Sequence, residues 1–452
     1  MFDEILKLLN KKDFVKLRST LSEMQAPDIA LMLDEMPQEY VPRLFRLLPK
    51  ELAAETFVEM PPDIQEALIV AFSDNELHDV LDEMYLDDTV DIIEEMPANV
   101  VKRILRQSDP DTRSEINKIL KYPKDSAGSI MTIEYVDLKT HMTVAQAFDR
   151  IRKTGVDKET VYTCYVTDAN RHLLGFTTVK DLLLADMSKE IGDVMETNVR
   201  FVDTYEDKEE VAKLFDKYDF LAMPVVDKET RLVGIITFDD VIDVIQDENT
   251  EDIEKMAAMT PSEKPYLKTS VYDTFKQRIP WLLLLMVSAT FTGKIISSFE
   301  ETLSACVALT AFIPMLMDTG GNSGGQSSVT IIRSLSLNDI GMRDIFKILR
   351  KEFLVAVLCG ITLAIANFAK MMIVDRGAII SSGQSPVLVA VVVCLTLMST
   401  VICAKLIGCS LPLLAKKLGF DPAVMASPFI TTIVDAISLI IYFTIATSIL
   451  HF

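Results

Sequence analysis

Three regimes of hydrophobic patterning divide the chain. Between residues 33 and 97 apolar positions recur with a period of 12: LDEMP at Leu33, FRLLP at Phe45, FVEMP at Phe57, IVAFS at Ile69, LDEMY at Leu81 and IEEMP at Ile93. Each row carries an apolar residue and then Met, Leu or Phe three positions on, a spacing that places both on one helical face. Proline usually follows; it is poorly tolerated inside a helix but suits the first turn of the next one. The pattern predicts short helices stacked as a superhelical solenoid, each burying its face on its neighbour, with the methionines in the core and not on a metal.

From about Ala127 the pattern changes to strand–helix alternation and occurs twice. The first copy runs IMTIEYVDL, THMTVAQAFDRIRKTG and VYTCYVTDANRHLLGFTTVKDLL; the second runs VMETNVRFV, TYEDKEEVAKLFDKYD and FLAMPVVDKETRLVGIITFDDVI. Both end in G-x-x-T-x-x-D, at Gly175, Thr178 and Asp181 and again at Gly234, Thr237 and Asp240. Beyond residue 279 the chain becomes apolar in runs of about 20 residues or more, the length needed to cross a bilayer. The runs fall at 279–299, 303–331, 353–374, 386–414 and 423–450. The second contains PMLMDTGGNSGGQSS, Pro314 to Ser328, whose glycines predict a broken helix with exposed backbone lining a watery cavity, or else a surface loop. Pro428 is expected to loosen the fifth span and free carbonyls near Phe429 and Thr431.

Charge sharpens this division. Residues 279–452 hold nine of the 66 acidic residues and eleven of the 45 Lys and Arg, so the front of the chain carries a net charge near −23. Such a front repels nucleic acid and attracts cations. Residues 51–100 contain fifteen acids and no Lys or Arg, and Asp87, Asp88 and Asp91 lie within a helical turn of one another, close enough to share a divalent ion. Asp240, Asp243, Asp247 and Glu251 form a second acidic stripe, widened by Glu248 and Asp252 and interrupted by Pro261 and Pro265. Asp435 stands alone in the apolar run ASPFITTIVDAISLIIYFTIATSIL. A carboxylate there costs about 2.5–3.5 kcal/mol on insertion scales, so it faces an interior or a pathway: a cation site with Asn322 and Gln326, or a structural hydrogen bond. Lys294 and Lys405 are read as snorkelling near span ends. Asp318 is left without a role beyond a helix-end cap.

Six scattered cysteines form no disulfide framework or CxxC site, and four histidines argue against a zinc or copper centre. The N-terminus, MFDEILKLLNKKDF, lacks the apolar core of a signal peptide. No nucleophile–base pair or phosphate-cradling loop marks an enzyme. Arg333, Arg343, Lys347, Arg350 and Lys351 follow the second span, and Lys416 and Lys417 the fourth, which places the N-terminus in the cytoplasm and the C-terminus outside a multi-pass cell membrane protein. The expected architecture is multidomain: an all-α superhelical domain (1–125), two α/β modules (126–187 and 188–246), a connecting helix (247–275) and an all-α five-span transmembrane domain (276–452).

The two modules are similar to a tandem pair of CBS domains, which implies an adenine nucleotide such as ATP held near Thr178, Lys180, Asp181 and Phe220. The first copy departs from the aromatic pattern, with Thr163 after Tyr162. The whole order of parts resembles the MgtE family of magnesium channels and transporters, on P-x5-G-G-N-S-G-G-Q at Pro314 to Gln326, D-P-A-V at Asp421 and T-T-I-V-D ending at Asp435. The resemblance implies a homodimer in the lipid bilayer with a pore on its two-fold axis. It places Mg2+ at Asp435, with Asn322, Gln326, Thr431 and Asp421 as further pore residues. It also implies regulatory cytoplasmic Mg2+ at Asp87, Asp91, Asp207, Glu209, Asp219, Asp240, Asp243, Glu248, Glu251 and Asp252, closing the pore through the connecting "plug" helix. Rival readings are a Co2+ or Mn2+ transporter, a nucleotide-sensing membrane receptor without conduction, and a gated carrier of anions or organic solutes.

Overall fold

In a computed structural model the described residues are 2–262, 266–381, 384–425 and 427–450, and they divide into two units, residues 1–245 and 246–452. The first unit opens with short helices from Phe2–Asn10 to Pro110–Ile119. The 12-residue repeat reads directly onto its core. Leu33, Phe45, Phe57, Ile69, Leu81 and Ile93 are all buried, as are Met36, Leu48, Met60, Phe72 and Met96, and Phe45, Phe57 and Phe72 cluster in one aromatic group. Prolines do what the repeat predicts, standing just before or within the first turn of the helices Ala26–Asp34, Val41–Phe45, Lys50–Val58 and Pro62–Ala71.

Each α/β module contains a three-stranded sheet. The first orders β1 (Tyr135–Lys139), β2 (Thr160–Thr167) and β3 (Leu173–Thr178); the second orders β4 (Val202–Asp203), β5 (Ala222–Val226) and β6 (Leu232–Thr237). In both, the first pair is parallel and the second antiparallel. The repeated G-x-x-T-x-x-D has a structural explanation in each copy. A Cβ on Gly175 would fall 2.4 Å from Glu196 O, and one on Gly234 2.8 Å from Thr132 O, because a neighbouring backbone hydrogen-bonds there. Thr178 caps the helix Val179–Leu184 in a reciprocal box with Asp181, and the Thr237 hydroxyl donates to Asp240 at 2.6 Å. Such caps satisfy the first free amides of a helix.

The helix carrying Asp87, Asp88 and Asp91 is α1 (Leu86–Glu95). The connecting helix α2 runs Phe238–Met256; it starts at the end of β6 and stops before the expected 247–275 is half traversed, because Ala258 takes a positive φ of 54°. Pro261 follows in irregular chain, and Pro265 lies outside the described residues.

The second unit is built on α3 (Val271–Ser298), α4 (Ile313–Ser336), α5 (Ile345–Lys370), α6 (Pro386–Leu418) and α7 (Ser427–Leu450). By length and apolar composition four stretches among the described residues can cross a membrane: Val271–Ser298, Met342–Ser381, Pro386–Leu418 and Pro422–Leu450. The second expected span, 303–331, differs in two ways. Its first residues form a short helix, Glu300–Ala305, and a 3-10 turn, Val307–Phe312. The rest, α4, is continuous through GGNSGG; the expected break does not occur.

Packing explains why the glycines stay helical. A Cβ on Gly320 would meet Thr400 on α6 at 2.7 Å and Val434 on α7 at 2.9 Å; one on Gly324 would meet Ile430 at 2.8 Å and the Ala404 carbonyl at 3.1 Å. Small residues let helices approach closely in a bilayer, and that contact outweighs the roughly 1 kcal/mol helix penalty of each glycine. Likewise Pro428 does not loosen α7; it occupies the first turn, where its missing N–H costs nothing. Gly408 on α6 touches Gly324 backbone to backbone, and an added methyl would lie 2.2 Å from the Gly324 oxygen. Gly408→Ala should therefore destabilise the protein by about 1–3 kcal/mol, the usual range for overpacking. Gly293→Ala, which meets nothing within 4 Å, should not lower the unfolding temperature in detergent.

Candidate functional site

Two acidic places emerge, one in each unit. In the first unit, α1 presents Asp87, Asp88 and Asp91 toward the start of α2, where Asp239 and Asp240 stand, with Glu134 and Glu159 alongside. Glu134 accepts from the Leu86 N–H at the start of α1, a position where a carboxylate is favoured by the helix dipole. At least four of the fifteen acids in the run 51–100 are paired with bases from outside it: Glu76 with Arg46, Asp79 with Lys50, Asp74 with Arg103 and Glu94 with Lys124. Among the described residues, Asp87, Asp88 and Asp91 have no such ion pair.

The electrostatic consequence is a set of carboxylates that resist ionisation. Burial first, then Asp240 and Asp88, lifts Asp87 well above the carboxylate range. Burial and then Asp240 and Asp239 push Asp88 up to about 7. Burial followed by Asp239 and Asp240 takes Glu159 to about 8. Asp240 rises to about 6, mainly by burial, against the Thr237 hydroxyl that donates to it. Asp91 is also raised, to about 7, by loss of surrounding water and by Asp240, but it keeps a solvent-exposed edge and its shift counts for least. Glu159 Oε2 is buried with no hydrogen-bond partner. An orphaned acceptor among crowded acids fits a divalent cation, whose charge would relieve both conditions. No three of these groups converge into a ready-made cage among the described residues.

Several expected ligands have other work. Asp207 caps the helix Lys208–Tyr218 by accepting from the Glu209 N–H at 2.9 Å, and Asp219 takes the left-handed position at its far end. Eleven residues of helix, about 16 Å, separate them, so they do not share an ion within one chain. Glu209 is paired with Lys213, and Glu251 with Lys255. Asp243, Glu248 and Asp252 lie along α2. Of the expected nucleotide residues, Thr178 and Asp181 bond each other, Lys180 is exposed, and Phe220 stacks on Tyr218.

In the second unit the site centres on Asp435, the ninth residue of α7. Its Oδ1 is buried and has no hydrogen-bond partner, and Asp318 on α4 is the charged group near enough to act on it. Thr431, one turn before Asp435, packs on Gly321. The two faces of α4 now separate. Gly320, Gly321, Gly324 and Ser328 are buried, whereas Asp318, Asn322, Gln326 and Thr330 form an exposed polar stripe at steps of four. Asn322, Gly325, Gln326, Val329 and Thr330 line an open groove of about 610 Å3.

Asp421 does not belong to this group. It accepts from the Ala423 N–H at 2.8 Å and pairs with Lys255 at 2.7 Å, while about 12 Å of helix rise lies between the start of α7 and Asp435. Sequence reasoning missed Asp318, Glu134 and Glu159. For Asp318 the signal was available in its step of four before Asn322 and Gln326; for the two glutamates no local pattern marks them, since the fold alone brings them beside α1.

Comparisons with known proteins follow the same division. A family model described as divalent cation transporter, MgtE, matches residues 313–445. The MgtE intracellular N domain matches residues 24–125, and CBS domains match 127–188 and 191–247. The magnesium transporter MgtE of Thermus thermophilus is 36% identical over 447 residues, covering 98% of this chain and 97% of that protein. That of Bacillus subtilis is 33% identical over 451 residues, covering 99% and 97%. Among solved structures, the cytosolic domain of the Mg2+ channel MgtE in complex with ATP matches at a TM-score of 0.52 and 36% identity, over 54% of this chain and 100% of that one. The soluble part of a magnesium transporter matches at 0.51 and 29%, over 55% and 97%.

Proposed function

The chain belongs to the MgtE family of divalent cation transporters, and from that premise we propose that it is a Mg2+-selective import pathway of the cytoplasmic membrane, closed by cytoplasmic Mg2+. The observation that carries the reading is the buried, unpartnered Asp435 Oδ1 on a membrane helix, with Asp318 near it. A carboxylate kept there without a hydrogen bond makes sense when a cation visits it. The exposed polar stripe of α4 supports a homodimer, since Asn322 and Gln326 gain a watery partner surface if two copies of this face line one path. Mg2+ gives up water reluctantly, so carboxylate and amide oxygens spaced for a hydrated ion suit it better than a tight cage. An interior-negative potential draws it inward, by about 4.6 kcal/mol for two charges across 100 mV.

The acidic cluster of the first unit is the proposed sensor. Ions held among Asp87, Asp88, Asp91, Glu159 and Asp240 favour a compact arrangement, and α2 carries that state toward the membrane domain. Asp207, Glu209, Asp219, Asp243, Glu248, Glu251 and Asp252 are secondary candidates. Swinging a two-state gate from 1:99 to 99:1 takes about 5.5 kcal/mol of differential binding, or about four ions each held about tenfold tighter in the closed state. ATP at Thr178, Lys180, Asp181 and Phe220 is a second proposal, favoured by the relative solved with ATP; a nucleotide there has to coexist with the Thr178–Asp181 cap.

The full chain in liposomes with an internal Mg2+ dye should show uptake that grows with negative internal potential. Co2+ or Mn2+ carried in preference to Mg2+ would change the substrate. No uptake of any divalent ion above empty vesicles would leave a sensor without a pore.

A further inference from the structure

A second charged network lies in the membrane unit, away from Asp435. Lys405 on α6 is only 5% exposed, so it is not reaching for the headgroups as its place in the sequence suggests. Its Nζ donates to Ser327 Oγ at 3.3 Å, and that hydroxyl donates to Glu352 Oε2 on α5 at 2.6 Å. Ser327 is 2% exposed. A hydroxyl can accept from an ammonium while donating to a carboxylate, so it bridges opposite charges that do not themselves touch. The three residues stand on three helices, about 14, 10 and 20 Å of helix rise from Ser336, Ile345 and Leu418 respectively. A lysine buried in this way is strongly unfavourable without a compensating carboxylate.

Ser327 immediately follows Gln326, so the network grips α4 from behind the face that carries the polar stripe. We propose that Lys405, Ser327 and Glu352 form an internal charge clamp that fixes α4 against α5 and α6 and keeps the wall behind the cation path electrically neutral, thereby setting the apparent affinity for the divalent ion. This rests on the reading of α4 as a wall of the Mg2+ path. All three are positioning residues: none is placed in contact with the ion. If Glu352 loses its charge, an uncompensated ammonium stands behind the path and repels Mg2+. If Lys405 loses its charge, an uncompensated carboxylate attracts it.

The test is the half-saturating Mg2+ concentration of uptake by the reconstituted full-length protein, with unfolding temperature measured beside it. Glu352→Gln should raise half-saturation at least threefold and Lys405→Gln should lower it at least threefold. The double variant should return to within twofold of the wild type. A merely structural role would move both single variants the same way, or change only the maximal rate, and either result overturns the clamp. If Glu352→Gln fails to fold, the sign of the Lys405→Gln shift decides alone: a rise or no shift overturns the clamp. Wild-type protein that takes up no Mg2+ would overturn the transport reading instead, which keeps the two failures apart.

Discussion

Asp435→Ala should reduce Mg2+ uptake by reconstituted protein at least a hundredfold, to the leak of empty vesicles, while the protein elutes and melts as the wild type does. The expected size follows from the charge at stake. A divalent ion about 5 Å from a carboxylate gains about 6–7 kcal/mol at an effective dielectric of about 20, before its desolvation is subtracted. A hundredfold loss requires only about 2.7 kcal/mol of that to survive. Stability should not suffer, because the Asp435 Oδ1 has no protein partner to lose and its removal takes a costly charge out of the membrane. Asp435→Asn separates charge from shape: it retains the oxygen but should fail nearly as badly if charge is the requirement. Asp318→Asn should give an intermediate loss, since Asp318 lies near enough to act on the charge of Asp435 yet is exposed on α4. Full uptake by Asp435→Ala would remove the pore assignment altogether.

What could be read from the sequence, and what could not, separates along physical lines. Periodic features were legible because they are local. The repeat from Leu33 to Ile93 lands on buried positions, and both strand–helix modules form as their patterns require. GGNSGG was misjudged as a break for the same reason: helix propensity is local, whereas the contacts of Gly320 and Gly324 with α6 and α7 are not. Charged residues were the least legible. Lys405 looks like a snorkelling side chain until Ser327 and Glu352, 78 and 53 positions away, come beside it in the fold. Asp421 looks like a pore ligand until Lys255 is found against it. A carboxylate's role depends on what faces it, and the chain's order does not record that.

The acidic cluster carries the other large prediction, because the ionisation of its carboxylates depends on pH and, under the proposed sensor role, on Mg2+. Asp88, Glu159 and Asp240 titrate at about 7, 8 and 6 in the folded protein, against about 4 in an unfolded chain. The native state therefore binds more protons than the unfolded state between about pH 4 and pH 8. In that window stability must fall as pH rises, with no contribution below about 4 and the full penalty above about 8. In a Mg2+ chelator, the full-length protein should melt several degrees lower at pH 8 than at pH 6, and millimolar Mg2+ should restore most of the difference by neutralising the same carboxylates. Asp88→Asn with Asp240→Asn should flatten the pH dependence and raise the chelator melting temperature, since the variant no longer ionises where it is crowded. The same variant should keep conducting at internal Mg2+ concentrations that shut the wild type, because the ions that favour the closed arrangement have lost their ligands. Retained inhibition alongside a flattened pH profile would separate the two effects: the cluster would then govern stability alone, and the sensor would have to lie among the carboxylates farther along α2.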